Sequence, residues 1–180
     1  MKKFQKIILI TAFIVMAALF LYALSFSTGM AKGERVGSYF DEVQQFNHQI
    51  YTYSLYGLAF FGIFLALGSV SKTRFNVLNI ITGLLAPAFM IATSLIALVE
   101  LPNLKKGYQA LIGSDALDIT LMINLGKTPS TFIYDIGLVL HSLGLVFGLL
   151  SFGFIIYKIV ERILYDHAYK KQVKLYESTR

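Results

Sequence analysis

The chain has 180 residues, a formal charge of +6, no cysteine and 56% apolar composition, with a mean hydropathy of +0.65. A soluble domain of this size does not carry so much apolar surface, whereas a small polytopic membrane protein does. The missing cysteines exclude disulfides, thiol catalysis and cysteine-ligated metals, and with them a four-helix thiol oxidoreductase. The basic residues sit between apolar runs and form no base-reading or phosphate-cradling motif, which excludes nucleic acid as a partner.

The first apolar run, about residues 7–28, follows Lys2, Lys3 and Lys6. A signal peptide shares the basic start, but its apolar region is only roughly 7–15 residues, so this run reads as an uncleaved anchor. Small residues between Ser25 and Ala31 leave cleavage open.

Residues 31–50 read as an external segment. AKGERVGS, from Ala31 to Ser38, is a loop, and Ser38 caps a following helix with Asp41 three residues on. Phe40, Val43, Asn47, Ile50, Ser54 and Gly57 keep helical spacing without a breaker. This helix enters the bilayer near Tyr51, with Tyr51, Tyr53 and Tyr56 in the headgroup belt, and spans 51–70. Gly62 and Ala66, four apart, form a small-residue pair suited to helix packing.

A basic turn, SKTRFN, leads to a third span over 77–99. Pro87 lacks an amide donor and crowds the carbonyl of Gly83, another helix-packing residue, so the sequence predicts a kink. Glu100 and Pro102 mark the exit into a second external segment, 101–130. Within it Ser114 caps a short helix of about 115–125, closed by Gly126. Leu117, Leu121 and Leu125 share one side of that helix, which suits an interfacial element, a lid or an external docking surface.

The fourth span, 131–157, carries the most informative pattern. At alternating steps of four and three, Gly137, His141, Gly144, Gly148, Ser151 and Ile155 fall on one face. Gly137, Gly144, Gly148 and Ser151 make that face smooth, and a smooth face gains from another helix backbone rather than from lipid. His141 lies six residues after Asp135, about 9 Å deeper along the axis. A polar group at that depth faces protein or water. It is either an interhelical hydrogen-bonding residue, with Thr93 or Ser94 as partner, or a polar functional site together with Asp135. Haem ligation in many such proteins needs a second axial ligand, and only an inward bend of the second helix brings His48 there. Neither a cofactor nor a metal site is predicted. HExxH, P-loop and GxSxG motifs are absent, and Ser142 points about 100° away from His141 on the same helix.

Helical periodicity continues through 158–180, where Lys158, Arg162, Asp166, Lys170 and Lys174 recur every four residues. This predicts a basic tail able to contact anionic lipids. Four spans place both termini on one side, with 11 of the 16 lysines and arginines, so the positive-inside rule makes the termini cytoplasmic and the two long loops outward.

The expected fold is therefore an all-α integral membrane protein, one four-helix domain over 1–180 with short helical elements in its two outward loops. The expected function is that of a non-catalytic small subunit or scaffold, bound to another integral membrane protein and stabilising a larger complex, a transporter among the candidates. The alternatives are a homo-oligomeric transporter or channel using Asp135 and His141, and an intramembrane enzyme acting on lipid or envelope precursors. The lysine-led start and lack of cysteine suit a bacterial plasma membrane.

Overall fold

A computed structural model describes residues 3–30, 37–70, 77–112 and 130–178. They form four helices: α1 (Lys3–Met30), α2 (Gly37–Val70), α3 (Val77–Ile112) and α4 (Phe132–Ser178). Each contains a stretch long and apolar enough to cross a membrane: Lys6–Phe26, Asp41–Leu67, Val77–Ile112 and Phe132–Tyr165.

The helices close into a ring in which α1 touches α2 and α4, and α3 touches the same two. Three apolar layers fill it. At one end Leu9 of α1 packs with Phe64 of α2 and Ile155 of α4. The middle layer joins Ala12, Met16 and Leu19 to Phe61, Ala86 and Met90. The far layer joins Tyr22, Ala23 and Phe26 to Val43, Phe46, Ile50, Ala97, Leu101, Leu104, Tyr108 and Tyr134. Residue numbers rise along α1 and α3 through these layers and fall along α2 and α4, so neighbouring helices are antiparallel. We call the end holding Leu9 and Ile155 the terminal end, and the other the loop end.

The exterior is apolar around the whole ring: Ile14 is 60% exposed, Val139 63% and Val146 53%. The interior meanwhile buries Ser54, Thr82, Thr93, Ser94, His141 and Ser151. In water this distribution is unfavourable, whereas in a bilayer the outer side chains meet hydrocarbon and the inner ones meet protein.

One boundary differs from the sequence reading, while the expected continuation of the fourth helix agrees with it. Glu100 and Pro102 do not end the third helix, which continues to Ile112 and buries Leu101, Leu104 and Tyr108. A proline removes one hydrogen bond, and here packing of the next two turns against α2 and α4 outweighs that loss. At the other end α4 continues without interruption to Ser178. The short helix expected over 115–125, with Leu117, Leu121 and Leu125, lies outside the described residues.

Candidate functional site: the polar seam between α3 and α4

The small-residue face of α4 is occupied within the chain itself. Side chains added at its glycines collide with neighbours from two helices: at Gly137 with Tyr22 and, 2.8 Å away, Leu101; at Gly144 with Ser94 Oγ at 2.5 Å and Leu19 at 2.8 Å; at Gly148 with Ile91 at 2.9 Å. On α3, Gly83 receives Phe64 at 2.9 Å and Ile155 at 3.5 Å.

These contacts fix a register. Leu101 faces Gly137, Ser94 faces Gly144, Met90 and Ile91 face Gly148, and Gly83 faces Ile155. Each step of three or four down α3 is matched by an equal step along α4, the spacing of interlocked, nearly antiparallel helices. The same register sets Ala97 opposite His141 and Pro87 opposite Ser151, all four buried. At each level a small residue on one helix accommodates a larger one on the other.

His141 is the central polar group of this seam. It has no exposed surface, and its ring meets that of Tyr22 edge-on, centroids 5.6 Å apart at 81°. Neither Nδ1 nor Nε2 has a hydrogen-bonding partner within the protein, and the same is true of Ser94 Oγ, Ser151 Oγ and Asn79 Oδ1. The expected bond from His141 to Thr93 or Ser94 does not form. Thr93 donates instead to the Ile50 carbonyl of α2 at 3.4 Å, and Ser94 turns its oxygen toward the backbone of Gly144.

The structure does not bring Asp135 and His141 together. Asp135 accepts from Lys105 Nζ at 2.6 Å on the outside of the loop end, where the two side chains are 49% and 27% exposed. Six residues on a helix turn through about 240°, so the pair cannot share a face. His48 is exposed on α2. Among the described residues no three His, Asp or Glu side chains gather to hold a metal.

Gly62 and Ala66 have surroundings opposite to those of the inward glycines. Ala66 is exposed, and a side chain added at Gly62 meets nothing within 4 Å. Among the described residues, Gly62 therefore faces away from the bundle. Gly153 on α4 is similarly open, beside a shallow apolar groove lined by Leu149, Leu150, Phe154 and Tyr157.

Sequence reasoning missed the hydroxyl network closing the loop end. Tyr22 donates to the Ile133 carbonyl at 3.1 Å. Tyr39 donates to the Leu104 carbonyl at 3.0 Å, which leaves its oxygen to accept from Tyr134 at 2.6 Å. Tyr134 is fully buried against Phe26 and Tyr108. Tyr22, the one tyrosine in the first apolar run, was the available signal, because a phenol that deep needs an acceptor.

No protein-family model, curated protein or solved structure matches this chain.

Proposed function

We propose that the chain is a non-catalytic integral subunit that binds another membrane protein and stabilises a larger plasma-membrane complex, a transporter among the candidates, in a bacterial cell. The observation that carries this reading is the outward Gly62–Ala66 pair. Small residues four apart allow close approach of a second helix backbone in lipid, where no hydrophobic force separates protein from solvent. The inward glycines already serve the bundle, so the docking face is assigned to α2 rather than to the Gly137–Ser151 stripe. In this arrangement both termini lie in the cytoplasm, and the basic tail meets anionic headgroups, each near-surface Lys or Arg contributing about 1 kcal/mol.

The unpaired His141 favours a second reading, a homo-oligomeric transporter with that residue on its path, without Asp135. An intramembrane enzyme requires an acid and a base within reach of one reacting atom, and His141 makes no hydrogen bond to either among the described residues.

The test is mild-detergent isolation of the natively expressed chain, with mass spectrometry and the mass of the intact particle. Stoichiometric recovery of a different membrane protein, lost in Gly62→Leu while the thermal midpoint of the chain is unchanged, is the expected result. A defined oligomer containing this chain alone would sink the subunit reading.

A further inference from the structure

We infer that the seam between α3 and α4 is a site for bound water, a file of separate molecules held between its interlocked levels from Asn79 to His141. The first observation is where the unpartnered groups lie, apart from Asn47 Oδ1 on the half-buried start of α2. Asn79, Ser151, Ser94 and His141 are each at least nine-tenths buried, at 6%, 0%, 0% and 0% exposure, and each has a polar side-chain atom without a protein partner. All four belong to α3 or α4. By the register of the seam they come in that order from the terminal end, from Asn79 to the level of Ala97 opposite His141. That separation is 18 residues along α3, about 27 Å at 1.5 Å per residue.

The second observation is how other hydroxyls of the bundle behave, buried or exposed, apart from Thr93, which donates across to the Ile50 carbonyl of α2. In a helix within lipid, a serine or threonine ordinarily donates to a carbonyl of its own preceding turn. Ser25 does so to Tyr22, Ser54 to Tyr51, Thr82 to Leu78 and Ser142 to Leu138, at 2.7–3.0 Å. Ser94 and Ser151 depart from this pattern and make no such bond. Buried polar groups in a membrane interior need partners, and a group that declines the one on its own helix has another. Water is the ligand that suits all four, because it donates to Nδ1 or Nε2, accepts from a hydroxyl and donates to an amide oxygen.

The loop end is closed to this file. Beyond His141 the bundle is filled by Tyr22, Phe26 and Tyr134, whose rings meet edge-on or tilted, and the Tyr22 hydroxyl is fixed to α4 at Ile133.

Nuclear magnetic resonance of the full chain, labelled with 15N-histidine and placed in lipid nanodiscs, tests the inference. His141 is assigned by the signal lost in His141→Gln. The expected result is magnetisation transfer from water to the His141 ring, weakened in Ser94→Ala and Ser151→Ala. Each serine variant is also expected to lower the thermal midpoint by about 2–4 °C, since it removes a group bonded to water. Absence of transfer in the unsubstituted chain overturns the proposal. So does a midpoint that holds or rises in both serine variants, because deleting a hydroxyl that has no partner relieves the fold.

Discussion

Gly137 and Gly62 show how one residue type performs opposite tasks on two helices. Even a methyl group at Gly137 must displace the Tyr22 ring, whose hydroxyl is bonded to Ile133 and whose face is held by Phe26 and His141. Gly137→Ala is therefore expected to destabilise the chain by about 1–3 kcal/mol from overpacking, more than the roughly 1 kcal/mol gained from helix propensity. Tyr22→Phe alone costs about 0.5–1.5 kcal/mol through the lost hydrogen bond. In the Gly137→Ala background it is expected to cost less, because the hydroxyl is the atom in collision. A double-mutant cycle of thermal unfolding in detergent measures that coupling, and simple additivity would show that Tyr22 moves aside freely. The ion pair at the loop end is a weaker contact. Both Lys105 and Asp135 are partly exposed, so Asp135→Asn is expected to change stability by less than about 1 kcal/mol, with a difference that fades in high salt.

At the scale of elements, periodicity and composition were sufficient to read four helices, the helical start of α2 and the continuation of α4 past the lipid. The smooth face of α4 was equally legible, because glycines at steps of four and three have few other uses in an apolar helix. Its partner was not. Whether a small-residue face meets its own bundle or a foreign helix depends on which way the neighbours turn, and Gly62 and Gly144 look alike until Leu19 and Ser94 are in place. The end of α3 was misplaced for a related reason: Glu100 and Pro102 are local exit signals, whereas Leu104 and Tyr108 are held by distant residues of α2 and α4. The solitary part of α4 allows a direct check. The packing of its inner half against the apolar core extends to Ile159, and Ile163, Leu164 and Tyr165 are 60–70% exposed. Removing residues 166–180 is expected to leave the thermal midpoint within about 2 °C, a shift well under 1 kcal/mol. The same truncation is expected to abolish preference for anionic over neutral vesicles in a flotation assay, and retained preference would place the lipid contact elsewhere.

For the whole molecule, orientation in the bilayer decides which loops a partner can reach. The chain has no native thiol, so a single introduced cysteine reports alone. Ser130 and Tyr169 are exposed at opposite ends of the bundle. In intact cells an impermeant maleimide is expected to label Ser130→Cys at once and Tyr169→Cys only after permeabilisation. The reverse pattern would invert the topology and turn the basic tail outward.

The unbroken length of α4 has a mechanical consequence. Its 47 residues form one helix, about 70 Å long at 1.5 Å per residue, and its loop end meets α3 through the Lys105–Asp135 ion pair. Past the core Ile163, Leu164 and Tyr165 are mostly exposed, so the far end of α4 acts as the arm of a lever whose fulcrum is the packed seam at Ile155. From Ile155 to Ser178 the arm measures about 35 Å, and a tilt of about 5° sweeps its tip through about 3 Å. A tilt at the seam is therefore passed to the far end of α4 as a displacement of about one hydrogen-bond length.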